Sequence, residues 1–274
     1  MIPSLLPIIT APLVRDPDTR DYIRRVEAAD GQALEPMVRR AIDAFVRGCK
    51  ADDIWPAIKA SCIMAGARTL AGALTPLVGA APTNFNFVAG DYNRKTGLKG
   101  DGSTKYLDSN RNNNAEPQNS KHIACYAPVA PLGSAVVRNS GPSVAIEGIN
   151  TGGSGLPMNT QSNNNDQIFR VNGSTTITAP SAGLSIGLRG VTRASSSTIT
   201  GRIGGVNYSG SSASETPQSG SLYVFARNLG GSGLMVDNHI NFPLAFYSIG
   251  ESLDLALLDA RVTTLMNAIG AALP

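Results

Sequence analysis

Charged and aromatic residues are scarce in this chain of 274 residues. Asp, Glu, Lys and Arg make up 16% of the sequence, aromatic residues make up 5%, and the formal net charge is only +3. Basic and acidic residues are interleaved along the chain. A protein that binds the phosphate backbone of a nucleic acid instead gathers its basic residues in a stripe or patch. The sequence therefore predicts no nucleic-acid partner.

Cysteine is also rare, and its spacing excludes two kinds of stabilising site. The three cysteines, Cys49, Cys62 and Cys125, have neither the even number of a disulfide framework nor the close spacing of a zinc site. Cys49 and Cys62 fall in apolar contexts, where a free thiol behaves as a small hydrophobic side chain. We expect buried thiols, no metal site and no cofactor.

Long hydrophobic runs are missing as well. The opening segment, residues 1–16, is apolar, but Pro3, Pro7 and Pro12 interrupt it and no basic stretch precedes it. We expect an extended arm that packs on its own domain or on a neighbouring subunit, and neither a secretory signal nor a membrane insertion.

Helical periodicity covers the next segment, residues 17–78, which predicts a small helical anchoring module. Asp18 or Thr19 can cap the first helix, and Gly31 ends it. Apolar side chains then recur at helical spacing in a second and a third segment, while residues 67–74 form a weaker fourth one. The second helix is expected to stop at Gly48, and Asp52 is expected to cap the third. The expected inward-facing residues of these two are Met37, Val38, Ala41, Ile42, Phe45 and Val46, then Trp55, Ile58, Cys62 and Ile63.

Alternating sequence rich in Gly, Ser, Asn and Thr fills residues 79–252. Many short strands joined by tight turns indicate a sandwich or barrel rather than a parallel sheet. A final amphipathic helix, residues 253–274, is expected to begin at Ser252 or Asp254 and to pack on the sandwich or the helical module. The strands are predicted at 85–88, 105–107, 122–126, 135–137, 144–146, 167–171, 175–178, 184–188, 198–203, 222–225 and 239–242.

Catalytic groups are not arranged as a reaction would need them, so we predict no catalytic residues. A glycosidase needs two carboxylates at a fixed short distance, but Glu147 stands alone and Glu251 belongs to a helix start. Both histidines, His122 and His239, lie within predicted strands, and no nucleophile elbow joins a strand to a helix.

Polar loops offer the candidate ligand-binding residues. Asp108, Asn110 and Asn112 have the spacing that begins a calcium loop, but Asn113 and Asn119 stand where Gly and Glu are needed. Asx turns that stabilise the loop are the favoured interpretation. A second loop that contains Asn164 and Asp166 can face the same way. The tyrosines that can stack on a sugar ring are Tyr92, Tyr106 and Tyr208.

Two stretches, residues 97–107 and 120–126, resemble the opening strands of concanavalin A-like, laminin-G-type jelly rolls. Residues 222–228 and 246–254 are similar to the closing strands and helix start of that family. The resemblance covers about residues 85–255. It implies an antiparallel jelly-roll β-sandwich, closed here by the C-terminal helix and preceded by the α-helical N-terminal module.

A looser resemblance, which includes residues 28–36 and 48–52, connects the whole chain with structural proteins of tailed bacteriophages and phage-like particles. It implies a non-enzymatic virion protein, assembled in the host cytoplasm with other capsid or tail proteins, whose sandwich attaches to host-surface glycans as a tail or head fibre. A homo-oligomer is expected, and the fibre analogy suggests a trimer. Two alternatives remain: a decoration protein with a purely architectural role, and a glycan hydrolase.

Overall fold

The fold was analysed in a computed structural model that describes residues 14–130, 144–146, 152–156, 158–159, 166–182, 185–229 and 236–274, with 144–146 and 158–159 described as backbone alone. The predicted arm falls mostly outside these residues, as does the predicted strand 135–137. The helices of the described part are α1 (Pro17–Asp30), α2 (Pro36–Ala51), α3 (Leu70–Ala73) and α4 (Leu255–Ala272). None of them is long and apolar enough to span a bilayer.

Short strands form most of the remaining structure. They are β1 (Ile58–Ile63), β2 (Pro76–Val78), β3 (Thr83–Phe85), β4 (Tyr92–Asn93), β5 (Gly97–Lys99), β6 (Tyr106–Asn112), β7 (Lys121–Ala127), β8 (Val144–Ile146), β9 (Ser154–Gly155), β10 (Met158–Asn159), β11 (Asp166–Phe169), β12 (Ile177–Ala179), β13 (Gly187–Arg193), β14 (Thr198–Ile203), β15 (Val206–Ser211), β16 (Ser221–Val224), β17 (Arg227–Asn228), β18 (Val236–Asp237), β19 (Pro243–Leu244) and β20 (Phe246–Gly250).

Two large sheets organise these strands. One has the order β15-β14-β13-β7-β20-β1-β2, and the other has the order β18-β17-β8-β16-β6-β3. Two three-stranded sheets, β10-β11-β12 and β19-β5-β4, complete the described part. Neighbouring strands pair antiparallel except for β17 with β8. The predicted fold class, mainly antiparallel β with N-terminal helices and a closing C-terminal helix, is confirmed.

The central strands β7 and β20 of the seven-stranded sheet are buried on both faces. Alternate residues of β7 point to opposite sides, so Ile123 and Cys125 join one apolar cluster while Ala124 and Tyr126 join another. The first cluster also contains residues of the six-stranded sheet and is the sandwich core. The second contains the apolar faces of α1, α2 and α4. The helices therefore form a third layer over the outer face of the sheet.

The first two helices differ from the sequence prediction in their ends. Asp16, rather than Asp18 or Thr19, caps α1, and its side chain accepts hydrogen bonds from the backbone N–H groups of Asp18 and Thr19. Gly31 ends α1 in the left-handed conformation, as predicted. The prediction that Gly48 stops α2 is wrong, since the helix continues to Ala51. Met37, predicted to face inward, is 51% exposed.

The prediction of a third helix that contains Trp55, Ile58, Cys62 and Ile63 is wrong. Residues 58–63 form β1, which lies between β20 and β2 in the seven-stranded sheet. Asp52 follows the end of α2 and pairs with Arg261 of α4. Trp55, Ile58, Cys62 and Ile63 also fit helical spacing, so the short alternation of Ile58, Ala60 and Cys62 with Lys59 and Ser61 did not distinguish a strand from a short helix. Residues 58–63 and 76–78 thus belong to a sheet, although they fall within the segment assigned to the helical module.

The closing helix matches its prediction. The side chain of Asp254 caps it by accepting from Ala256 N and Leu257 N. The predicted stripe is buried, and it packs against α2 and β13. The buried stripe residues are Leu255, Leu258, Val262, Leu265, Met266 and Ile269.

Candidate functional site

The outer face of the six-stranded sheet carries a cluster of aromatic side chains, here named the aromatic face and defined by Phe85, Tyr106, Tyr223 and His239. Strand β3 is the edge of this sheet, and its Phe85 lies opposite Tyr106 of β6 in the antiparallel register. The neighbouring Leu107 points inward and is fully buried. The alternation of strand side chains therefore places Tyr106 on the outside.

Phe85 and Tyr106 stack face to face. Their ring centroids are 4.4 Å apart and their planes differ by 4°. Tyr106 in turn lies 4.9 Å from the ring of Tyr223 and 6.0 Å from the ring of His239, which meets it edge-on. Phe85 is 36% exposed, whereas Tyr106 is 9% and Tyr223 4% exposed. A buried aromatic layer thus supports one accessible ring at the sheet edge.

Polar side chains border the stacked rings. Asp108 lies opposite both Thr83 of β3 and Tyr223 of β16. Its Oδ1 accepts the backbone N–H of Asn110 at 2.8 Å, the Asx turn that the sequence favoured. The Asn110 amide donates to Ala81 O at 2.7 Å and to Thr83 Oγ1 at 3.0 Å. Asn110 has φ +53°, a conformation that Asn tolerates better than most residues.

The charge of Asp108 and the burial of the rings affect the groups nearby. Burial raises the pKa of Tyr106, and the Asp108 carboxylate raises it further. The same two causes raise the pKa of Tyr223. Burial lowers the pKa of His239, against the opposite effect of the Asp101 and Asp237 carboxylates. Near neutral pH the aromatic face therefore presents neutral rings, with the Asp108 carboxyl group beside Tyr106 and Tyr223.

The structure brings together some of the predicted site residues and separates others. Tyr106, Asp108 and Asn110 adjoin one another on β6, and Asn112 at the end of that strand faces the Ser221 hydroxyl. Asp166 lies in the sheet of β10, β11 and β12, where it accepts the backbone N–H of Ser181. Asn164 falls outside the described residues. Their ligand-binding role stays a prediction.

Tyr208 lies in β15 of the seven-stranded sheet, and its ring is 6.4 Å from that of Phe169 at the sandwich core. It is therefore not part of the aromatic face. Tyr92, the third predicted platform, donates its hydroxyl to Ala67 O.

Sequence reasoning missed Phe85, Thr83, Tyr223 and His239 as members or neighbours of the site. The alternation around Phe85 predicted a strand, but it did not reveal that Phe87 would point to the core and Phe85 outward. Tyr223 adjoins Tyr106 through pairing between strands more than one hundred residues apart. His239 was predicted in a strand, but β18 ends at Asp237 and β19 begins at Pro243.

The acids considered for catalysis have other surroundings. Glu251 forms an ion pair with Lys59 at 2.9 Å, and Glu147 lies outside the described residues. Within the described ranges, no group of three or more His, Cys, Asp or Glu side chains is placed to hold a metal ion.

No protein-family model and no curated protein matches the chain. Among solved structures, it is similar to a mutant sialidase of Trypanosoma rangeli, with 12% identity and a TM-score of 0.48 over 84% of this chain and 39% of the sialidase. It is also similar to domains LG4-5 of the mouse laminin α1 chain, with 14% identity and a TM-score of 0.38 over 66% of this chain and 47% of that one.

A third similar structure is the binding domain of botulinum neurotoxin serotype D, with 11% identity and a TM-score of 0.42 over 76% of this chain and 51% of the toxin domain. The chain thus spans about two fifths to one half of the length of these three proteins. At these identities and TM-scores, the similarities assign neither a ligand nor an activity.

Proposed function

We propose that this chain is a glycan-binding domain without catalytic activity and that the aromatic face is its sugar-binding surface. The observation that carries the proposal is the stack of Phe85 on Tyr106. An aromatic ring binds the C–H-bearing face of a sugar, and a ring that neighbouring side chains already hold in place loses little conformational freedom on binding. Phe85 combines exposure with such support.

The polar border provides the hydrogen-bonding groups that a sugar needs beside a stacking ring. Asp108 uses Oδ1 for the Asx turn, and its Oδ2 has no hydrogen-bond partner among the residues that the structure describes. A carboxylate oxygen is a strong acceptor for sugar hydroxyl groups. Thr83 and Asn110 hold the adjoining edge of the sheet in place. Stacking on Phe85 and acceptance by Asp108 together define the proposed subsite.

The absence of catalysis is part of the proposal. The four residues that define the aromatic face include no carboxylate, and the carboxylate beside its stacked rings is that of Asp108, whereas most glycosidases use a pair that flanks the scissile bond. Tyr106 and Tyr223 have raised pKa values and remain protonated near neutral pH. Neither hydroxyl is thereby prepared to act as a base. Binding without turnover is the activity that this set of groups supports best.

We further propose that the domain acts on the surface of a virion, as a fibre or receptor-binding protein in several copies. This part rests on the resemblance to phage structural proteins in the N-terminal segments. Many copies would convert weak contacts at single sites into firm attachment. Mass spectrometry of purified particles from the source of the sequence tests it, and particles that lack the chain would contradict it. Particles that attach normally without the protein but lose integrity would favour the architectural alternative.

The sugar-binding proposal is tested by Phe85→Ala. The biotinylated chain, made tetravalent on streptavidin, is applied to an array of neutral and acidic bacterial and animal glycans. Binding to the best neutral glycan should fall roughly tenfold in the variant, which corresponds to about 1.4 kcal/mol. Val206→Ala is the control, because Val206 is another exposed apolar residue on an edge strand, in the other large sheet. An array without binding, or equal binding by both variants, would overturn the proposal.

A further inference from the structure

A concave surface that shares no lining residue with the aromatic face lies at the three-stranded sheet of β19, β5 and β4. This edge cleft has a volume of about 640 Å³, and its lining consists of residues 90–93, 96–97 and 99–101 together with Asn241 and Pro243. It adjoins a smaller apolar cleft of about 290 Å³, which shares Thr96, Lys99, Asn241 and Pro243 with it and adds Val129 and Phe242.

The backbone of the cleft is firmly held. Lys99 pairs with Pro243 across the sheet, and the preceding Leu98 is fully buried, so alternation directs the Lys99 side chain outward. Gly97 and Gly100 pack closely on the neighbouring chain, since a Cβ at either residue would lie 2.2 Å from a backbone carbonyl oxygen. The wall that carries Lys99 is therefore a preformed surface.

The acidic side chains of the cleft already have partners. Asp91 accepts the backbone N–H of Val88 at 2.8 Å and pairs with Lys105 at 2.6 Å. Asp101 accepts three backbone N–H groups and the Thr104 hydroxyl, and the pKa of its carboxyl lies well below the ordinary value. Asn93 Oδ1 accepts from Lys95 N and Thr96 N. These acceptor oxygens therefore stabilise the cleft itself through hydrogen bonds and ion pairs.

The side chains that remain available are mainly donors. Across the described part of the chain, the side chains of Thr96, Lys99 and Asn241 have no hydrogen-bond or ion-pair partner. Lys99 contributes an ammonium group with three donors, Asn241 an amide and Thr96 a hydroxyl. All three line both clefts. Their arrangement offers one positive charge and two neutral polar groups beside an apolar wall.

We infer that the edge cleft binds a carboxylate-bearing sugar, whose acidic group pairs with Lys99 and accepts from Asn241 and Thr96 while the carbon skeleton contacts Pro243 and Val129. A carboxylate forms charge-assisted hydrogen bonds with the ammonium group, and these are stronger than the hydrogen bonds that a neutral sugar hydroxyl forms with it. The inference deepens the proposed glycan-binding function and rests on it, but it names a different site and a ligand class.

The test uses a probe pair that differs mainly in the charge of the acidic group: a trimer of galacturonic acid and its methyl ester, titrated by calorimetry into the whole chain. The acid should bind at least about tenfold more tightly than the ester, the difference expected for one charged hydrogen bond. Lys99→Gln should remove that difference, while Lys99→Arg should keep part of it. Lys95→Gln is the matched control, because it removes the same charge from the neighbouring turn but not from the cleft lining.

Equal affinity for acid and ester, or a Lys99→Gln variant that still prefers the acid, would overturn the inference. Binding lost equally in Lys95→Gln would also overturn it, because net charge and not the cleft would then be responsible. Phe85→Ala separates the two proposals. If it abolishes binding of a neutral glycan while the acid trimer shows no preference, the aromatic face stands and the cleft assignment falls.

Discussion

His122 and Ser248 form a fully buried hydrogen bond between the adjacent strands β7 and β20, with His122 Nε2 2.8 Å from Ser248 Oγ. The other ring nitrogen, Nδ1, lies 2.6 Å from the backbone carbonyl oxygen of Glu251. A carbonyl can only accept, so the proton of the neutral imidazole lies on Nδ1 and Nε2 accepts the Ser248 hydroxyl. Both nitrogens of the neutral ring are satisfied.

This arrangement predicts loss of stability in mild acid. Burial lowers the pKa of His122 from 6.5 to about 4. The unfolded chain therefore binds a proton that the folded chain excludes, and the contribution of His122, complete above pH 6.5, is lost as the pH falls to about 4. The loss amounts to about 3 kcal/mol of unfolding free energy. Urea unfolding at several pH values measures it.

NMR titration of the His122 ring supplies a direct check. A folded-state titration near the ordinary histidine value would contradict the prediction. His239→Asn should keep most of the pH dependence, because His239 is only partly buried, with a pKa that is lowered but not to the extent of His122.

Neutralising Glu116 should destabilise the fold strongly. Its carboxylate lies 2.6 Å from Lys121 Nζ, and both side chains are nearly inaccessible. Lys121 and Arg111 hold the pKa of Glu116 below its ordinary value. Glu116→Gln leaves the Lys121 ammonium buried without a counter-charge, which costs about 3 kcal/mol or more. Asp21→Asn removes a carboxylate from exposed pairs with Arg24 and Arg25 and should cost far less stability, because solvent screens these pairs. Similar losses in urea unfolding would refute this account.

Gly201→Ala tests the packing of the sandwich core. A Cβ at this position of β14 would lie 2.3 Å from Cδ2 of Phe169, whose ring is fully buried. The ring must shift, and overpacking of this kind costs about 1–3 kcal/mol. Gly90→Ala is the control, since a Cβ there meets nothing within 4 Å. Thermal unfolding should show a clear decrease in Tm for the first variant alone.

Two helical glycines should respond differently to alanine. A Cβ at Gly270 of α4 has open space, so Gly270→Ala should stabilise by up to about 1 kcal/mol through helix propensity. A Cβ at Gly48 of α2 would lie 2.8 Å from Cδ of Arg261, which pairs with Asp52. Gly48→Ala therefore gains the same helix propensity but must displace the Arg261 side chain from Asp52, so its gain in unfolding free energy should be smaller. An equal gain in both variants, measured by urea unfolding, would show that the pair contributes nothing.

Local signals predicted the helix ends that depend on local chemistry. Gly31 ends α1 because a left-handed residue follows the helix, and Asp254 begins α4 because its side chain accepts the first free N–H groups. The apolar stripe of α4 was also predicted from the sequence, because burial of one helix face requires apolar residues at helical spacing. Each of these features lies within a few consecutive residues.

The candidate site was predicted only in part, because some of its residues are far apart in the sequence. Tyr106, Asp108 and Asn110 stand near one another in sequence and were identified together. Phe85 and Tyr223 reach them through strand pairing, and the register of β3, β6 and β16 decides which alternate residues share a face. Phe85 and Phe87 are the same type of residue, two positions apart in one predicted strand. No local pattern therefore shows that one is accessible and the other buried.

The sequence by itself determined the class of fold, the two-residue period of the strands and the amphipathic closing helix, because each follows from which nearby side chains avoid water. Tertiary structure alone decided that residues 58–63 form a strand, since their apolar residues fit helical spacing as well as alternation, and only the pairing with β20 and β2 selects the strand. It also decided the placement of the aromatic face and the edge cleft, which assemble from strands and loops far apart in the chain.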